Sequence, residues 1–151
     1  MTARPVISRA HHAEIFTNGN TVPTTLTTAG EWKQFLGFAT LGQSRGAIGE
    51  PAEDHILIQR AGVYSVKGSF SFSGSNSRTY EVEVMCLNGT IPHPNLHTEI
   101  KLNANGYAGS CSVSGSALFT AGATVEVWIR CLDGSNDPTI RDINLSVMEI
   151  V

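Results

Sequence analysis

The segment AGVYSVKGSFSFSGS, residues 61–75, alternates large apolar side chains with small polar ones, and it constrains the fold more than any other part of the sequence. The apolar positions are Tyr64, Val66, Phe70 and Phe72. The polar positions between them are Ser65, Lys67, Ser69 and Ser71. Successive side chains of a strand point to opposite faces of its sheet, so the segment predicts a long β-strand with one buried face and one small, polar face.

Similar signals recur along the chain and predict an all-β protein. Strands are expected at HILIQ, TYEVEVMCLNG, TEIKLNANG, YAGSCSVSGSALF, TVEVWIRCLDG and TIRDINLSVMEIV, with an edge-like strand at VPTTLTTAG. The segment EWKQFLGFATLG fits a strand or a helical turn, and SRGAIGEPAED is predicted as a loop. Asn-Gly and Asp-Gly pairs between these segments supply hairpin turns. About eight antiparallel strands suit two packed Greek keys, so we predict a jelly-roll β-sandwich.

A chain of 151 residues has room for a single domain. We assign the jelly roll to residues 23–151. Residues 1–22 lack sustained periodicity and are predicted to form an extended N-terminal arm that becomes ordered on a neighbouring subunit. Its apolar residues are more than a solvated tail requires, and they are Val6, Ile7, Ile15 and Phe16.

Composition argues against several classes of function. The net charge is −3 and no basic run is present, which speaks against nucleic-acid binding. No apolar stretch approaches the ~18 residues of a membrane span, nor is there the apolar core of a secretory signal, so assembly in a cytoplasm is expected. The three cysteines match no metal or redox spacing and are predicted to be free thiols.

No catalytic or metal-binding constellation is predicted. His93 and His97 are four residues apart, but Pro92 and Pro94 argue against a helix, so we expect a solvated loop. LDGSNDPTIRD lacks the spacing of a calcium loop, and its acidic residues are expected to make turn hydrogen bonds. The serines form no nucleophile elbow. We therefore expect a protein that is not an enzyme and has no cofactor.

The last strand points to contacts between subunits. Its residues Ile143, Leu145 and Val147 occupy one face, and Met148 and Ile150 place apolar side chains on the other. A soluble monomer rarely exposes a large apolar patch, so this face is predicted to be covered by another copy of the chain.

The order of several short motifs resembles known families. AGVYSV, VEVMCLNGT, SVSGSALFTAGATVEVWIRC and RDINLSVMEI resemble the trimeric jelly rolls of tumour necrosis factor and the globular complement heads. With TLTTAGEW at residues 25–32, they are also similar to small structural proteins of tailed-phage virions, over roughly residues 23–151. The resemblance implies a homotrimer and, because no stalk segment is evident, a head decoration protein on the capsid exterior that stabilises the head against DNA pressure.

This resemblance assigns roles to particular residues. The arm would bind the major capsid protein through Arg4, Val6, Ile7, Arg9, Ile15 and Phe16. The trimer interface would include Tyr64, Phe72, Met148 and Ile150. The alternative is a receptor- or glycan-binding knob of a tail or head fibre, with specificity in the loops NGTIPHPNLH and LDGSNDP. A cupin-like enzyme would need a cluster of metal ligands that the sequence does not show.

Overall fold

The computed structural model describes residues 9–75, 77–103 and 108–151. Within these ranges the chain forms eleven β-strands and a single 3₁₀ turn, and no α-helix is present. The strands are β1 (His12–Thr17), β2 (Lys33–Gln34), β3 (Thr40–Arg45), β4 (Ala47–Glu50), β5 (His55–Ile58), β6 (Gly62–Ser73), β7 (Thr79–Cys86), β8 (Ile91–Lys101), β9 (Ala108–Phe119), β10 (Thr124–Cys131) and β11 (Thr139–Glu149). The 3₁₀ turn is Pro51–Glu53. A search of the described residues for a helix long and apolar enough to cross a membrane finds none.

Two antiparallel sheets pack face to face. Sheet A has the strand order β3-β1-β11-β6-β9, and sheet B has the order β4-β5-β10-β7-β8 with β2 paired to β10. Consecutive strands repeatedly lie in different sheets, as in a jelly roll, because the chain crosses between the layers rather than folding back as simple hairpins. The predicted fold class, an all-β jelly-roll sandwich, is confirmed.

The alternation in residues 61–75 positions the core. Tyr64, Val66, Phe70 and Phe72 on β6 are buried, and Val82 and Val84 on β7 face them from sheet B. Phe72 packs edge-on against Tyr80, with ring centroids 5.6 Å apart, which joins the two sheets. Burying each such side chain contributes roughly 1.5–3 kcal/mol, so the period of two fixes which face of every strand points inward.

The predicted boundary of the arm is wrong for residues 12–17. These residues form β1, which lies between β3 and β11 in sheet A. Ile15 is fully buried in the core, and Phe16 is partly buried on the same strand. Every second residue of β1 is buried, which corresponds to a period of two. In the sequence this period is hidden by His11 and His12 before the strand and by the Asn-Gly turn after it. Arg9 is exposed just before β1, and Arg4, Val6 and Ile7 lie outside the described residues.

Three other segments differ from the sequence prediction. VPTTLTTAG is irregular rather than an edge strand, and it is held by hydrogen bonds such as Thr24 N to Pro138 O (2.8 Å). SRGAIGEPAED, predicted as a loop, contributes β4 and the 3₁₀ turn. EWKQFLGFATLG contains β2 and begins β3, so its every-third-residue spacing does not produce a helical turn. The strands β5, β7, β9, β10 and β11 lie where the sequence predicts them.

Candidate interaction surface

The outward face of sheet A is lined by small hydroxyl side chains. We call it the serine face, and it consists of the outward residues of β6 and β9 with their neighbours on β11 and β1. Serine stands opposite serine in three of its cross-strand pairs, which are Ser65–Ser116, Ser69–Ser112 and Ser71–Ser110. Lys67, paired with Ser114, is the long side chain in the middle of these rows. Such short side chains project little from the sheet and allow another protein surface to approach closely.

One end of the serine face is apolar. Leu118 on β9, Val63 on β6 and Ile150 just beyond β11 lie in one row across three strands. Their exposed fractions are 73%, 43% and 56%, and Met148 in the next row is 55% exposed. Side chains of this size are rarely left adjacent and uncovered on a monomer, which makes this row the candidate interaction surface.

Two depressions open on the same face. The larger has a volume of about 630 Å³ and is lined by residues that include Phe16, Ser69, Ser112 and Asp142. The smaller has a volume of about 410 Å³ and is lined by residues that include His12, Lys67 and Met148. Both are lined from β1, β6 and β11, so the surface that carries the apolar row is also concave.

Charges on the serine face are held by hydrogen bonds. Asp142 accepts from the backbone N–H of Gly19 (2.9 Å) and from the hydroxyl of Ser71 (2.8 Å), and these bonds lower the pKa of its carboxyl, the Gly19 contribution being the larger. Glu14 accepts a hydrogen bond from the side-chain amide of Asn144. Both carboxyl groups are therefore fixed in position on the sheet.

The structure separates the four residues predicted at the trimer interface into two pairs. Met148 and Ile150 are exposed on the serine face, and their place between subunits stays a prediction. Tyr64 and Phe72 are fully buried inside their own chain, so the assignment of these two rings to an interface is wrong. The Tyr64 hydroxyl donates to the backbone oxygen of Arg60 (2.8 Å), and its ring packs against Phe119. The inward phase of β6 places both rings between the sheets.

Sequence reasoning missed Val63 and Leu118. Both stand at positions where the alternation places polar side chains, because their neighbours on each strand point into the core. The signal available in the sequence is an apolar residue near the end of a strand, at a position where the alternation would place a polar one. Two such residues became one patch only through the register that sets Val63 opposite Leu118.

The two histidines of HPNLH do not form a site together. The segment belongs to β8 rather than to a loop, which corrects the prediction. His93 packs edge-on against Phe119, whereas His97 contacts the carboxylate of Glu81 (3.1 Å) on the outward face of sheet B. Among the residues described, no group of three or more His, Cys, Asp or Glu side chains is arranged to hold a metal ion.

Cys86 and His93 are close but do not form a reactive pair. The sulfur and the imidazole Nε2 are 3.4 Å apart. Burial raises the pKa of the Cys86 thiol to about 12, and burial lowers the pKa of His93. Both groups are neutral at physiological pH, so the pair lacks the thiolate that a nucleophilic cysteine requires.

The acidic residues of LDGSNDP make long-range hydrogen bonds to other segments, rather than the local turn hydrogen bonds that the sequence predicts. Asp133 accepts from the backbone N–H of Thr79 (3.1 Å), and Asp137 accepts from that of Leu26 (2.7 Å). The loop begins where β10 ends at Cys131, and the turn at Leu87–Thr90 follows the opposite end of β7. Most of NGTIPHPNLH is part of β8, and the turn at its start and the loop LDGSNDP lie at opposite ends of these paired strands.

The fold defined by these sheets is found in solved structures of the tumour necrosis factor type. Eiger TNF from S. frugiperda matches with a TM-score of 0.69 and 13% identity, over 95% of this chain and 94% of that chain. Murine APRIL at pH 5.0 matches with a TM-score of 0.60 and 12% identity, over 94% of this chain and 100% of that one. Murine APRIL at pH 8.0 gives a TM-score of 0.57 at 12% identity, with the same coverage.

Sequence comparisons add no closer relationship. No family model matches the chain, and no curated protein matches its sequence. The structural likeness shows a TNF-like jelly roll, and at such low identity it shows the fold alone.

Proposed function

We propose that the protein is a homotrimeric, non-catalytic component of a phage virion that decorates the outer capsid surface. The proposal of a trimer rests on the serine face, where an apolar row, rows of small side chains and two depressions lie on one sheet. Burial of this row against a second copy would remove exposed apolar surface from water, at roughly 25 cal/mol per Å². The small side chains would allow the sheets and edges of two copies to come into contact.

The capsid role rests on the sequence resemblance to tailed-phage structural proteins. A cement protein needs surfaces that bind and a stable fold, and the resemblance implies no chemistry. Residues Arg4, Val6, Ile7 and Arg9 precede β1 and are proposed to contact the major capsid protein. Three such segments on one trimer would act at high effective concentration, so modest contacts per chain could resist the outward pressure of packed DNA.

The test is co-sedimentation of the purified protein with expanded empty capsids. We expect the full chain to co-sediment and a variant lacking residues 1–8 to remain in the supernatant while still forming trimers. That truncation keeps β1 intact, whereas a deletion reaching residue 16 would remove most of a strand. Failure of the full chain to bind any capsid, combined with binding to host cells or to a glycan array, would replace decoration with the receptor- or glycan-binding knob.

A further inference from the structure

The outward face of sheet B carries carboxylates that are almost closed to solvent. On β7, Glu81 and Glu83 point away from the core, yet each is only 7% exposed. Cross-strand pairing places Arg130 of β10 beside Glu81, and it places Trp128 of β10 beside Glu83. On the other side of β7, His97 of β8 is the partner of Glu83. Neighbouring side chains, rather than the core, therefore cover the two carboxyl groups. We call these five residues the carboxylate cluster.

The TLTTAGEW segment supplies part of this cover. Its backbone is attached to the end of β10 by a hydrogen bond from Gly30 N to Cys131 O (2.7 Å). The Trp32 ring that follows lies 4.4 Å from the guanidinium carbon of Arg130, a cation–π contact. The same ring meets His97 edge-on at 6.5 Å between centroids. Trp32 thus spans from β10 to β8 on the Glu81 side of the cluster.

The two carboxylates have different hydrogen-bond environments. Glu81 is satisfied, since Arg130 donates to one oxygen and His97 lies 3.1 Å from the other. Glu83 Oε1 is buried and has no hydrogen-bond partner. Burial raises the pKa of Glu83, and the charges of His97 and Arg130 and a backbone hydrogen bond from His93 offset this only in part. A buried polar atom without a partner is unusual and calls for a specific explanation.

The charge of the cluster is also unbalanced. Two buried carboxylates share one guanidinium, which is committed to Glu81 and Trp32, and one imidazole, that of His97, which contacts Glu81 and is charged only when protonated. Glu99 on β8 is the cross-strand partner of Glu81, and it adds an exposed carboxylate to the same face. Taking a charge out of water without a partner is unfavourable, so a cation at Oε1 would relieve both the missing hydrogen bond and the missing charge.

We propose that the carboxylate cluster binds a primary ammonium group, presented by a lysine side chain of a partner protein, through Oε1 of Glu83. An ammonium group donates hydrogen bonds and carries the compensating charge, whereas a sugar hydroxyl would supply only the hydrogen bond. A divalent metal ion needs several oxygen ligands, and the described residues offer no such group. The indole rings of Trp32 and Trp128 provide π-surfaces that favour a cation nearby.

Binding requires a side chain to move, because Oε1 is closed to solvent. His97 lies on β8, at the edge of sheet B, and its side chain is 31% exposed. Rotation of its imidazole would open the side of Glu83 that faces this edge. The site lies on the sheet opposite the serine face, so it goes beyond the proposed trimer and does not depend on it.

The chain contains two tryptophans, and both lie on this face, so tryptophan fluorescence reports directly on the site. The probe is Nα-acetyl-lysine methylamide, titrated into the full-length protein. We expect a saturable fluorescence change, together with a shift of the Glu83 carboxyl carbon signal in the NMR spectrum. Glu83→Gln should weaken binding about tenfold or more, and Glu99→Gln, on the same face, should change it by only about twofold.

Two further probes distinguish an ammonium group from an uncharged amide and from a sugar. The same probe acetylated on its ε-nitrogen lacks the charge and should give no saturable response. Methyl galactoside is also expected to give none. The proposal is overturned if the lysine probe does not saturate, if Glu83→Gln binds it as well as the unmodified protein does, or if the galactoside alone saturates. Circular dichroism of each variant establishes that it is folded.

Discussion

At the scale of single residues, Glu126 shows how a carboxylate can be fully buried in this sandwich. Its two oxygens accept four hydrogen bonds, from the backbone N–H groups of Asn88 and Gly89, the hydroxyl of Thr124 and the indole N–H of Trp128. These bonds hold the turn after β7 against β10. A glycine is needed in that turn because φ is +72° at Gly89 and a Cβ there would lie 2.7 Å from the Trp128 ring.

Glu126→Ala should therefore be strongly destabilising. It leaves four donors without their acceptor, and we expect a loss of at least ~3 kcal/mol in the free energy of unfolding, measured by urea denaturation. Glu53→Ala, at an exposed carboxyl group in the 3₁₀ turn, is the control and should change stability by about 0.5 kcal/mol or less. Equal effects of the two substitutions would show that the Glu126 hydrogen bonds do not stabilise the fold.

Removal of the Glu83 charge, unlike removal of Glu126, is expected to stabilise the protein at neutral pH. Burial raises the pKa of Glu83 in the folded protein, so the folded state binds this proton more tightly than the unfolded chain does. Ionisation of Glu83 thus costs stability above the folded-state pKa, and this cost disappears below the unfolded value of 4.5. Glu83→Gln should be more stable than the unmodified protein at pH 7 to 8, and the difference should shrink as the pH falls towards 4.5.

Thermal unfolding at several pH values checks this prediction, with Glu99→Gln as the matched exposed variant. A difference between Glu83→Gln and the unmodified protein that stays constant with pH would mean that Glu83 does not titrate in this range. NMR titration of the Glu83 carboxyl carbon measures the pKa of Glu83 in the folded protein directly.

At the scale of elements, β1 carries a prediction about the core. Ile15 is fully buried, while Leu41, its partner on β3, is 51% exposed. Ile15→Ala should cost about 2–5 kcal/mol because it removes buried methyl groups and leaves a cavity. Leu41→Ala should cost clearly less, since its side chain already contacts water. Chemical denaturation of both variants decides whether β1 is part of the cooperative fold or an appendage.

The long strands could be predicted from the sequence because one property, burial on a single face, repeats over many residues. In β6 and β11 the alternation is regular enough to give both the strand and its inward face. In β4 and β2 it extends over only four and two residues, and Gly and Pro nearby suggest a loop. The irregular residues 21–32 follow no pattern, because tertiary hydrogen bonds to Pro138 and Cys131 hold them in place.

The candidate sites were less accessible to sequence reasoning. Met148 and Ile150 were identified from apolar residues on the second face of one strand. The assignment of Tyr64 and Phe72 to the interface is wrong because it follows the resemblance to jelly-roll trimers, whereas the period of two already places both rings on the buried face of β6. The carboxylate cluster combines residues from three strands, β7, β8 and β10, so only the register of these strands brings it together.

At the scale of the whole molecule, the apolar row predicts the oligomeric state. Leu118→Asp places a charge in the apolar row of the proposed interface and should convert trimers to monomers in multi-angle light scattering at micromolar concentration, since a buried unpaired charge is costly. Leu36→Asp, at a residue that is 67% exposed outside the serine face, should leave the trimer unchanged. A monomeric unmodified protein under these conditions would rule out the trimer.

The pairing of β1 with β11 has a consequence for how the protein is made. His12 lies opposite Met148, so β1 can pair with β3 early but gains its second partner only after β11 has been synthesised. Contacts this distant in sequence slow folding, and domains dominated by them take milliseconds to seconds. During that interval the edge of β1 that pairs with β11 is free on the nascent chain. Synthesis of a jelly roll of this kind therefore depends on keeping that edge from pairing with a neighbouring copy before β11 has emerged.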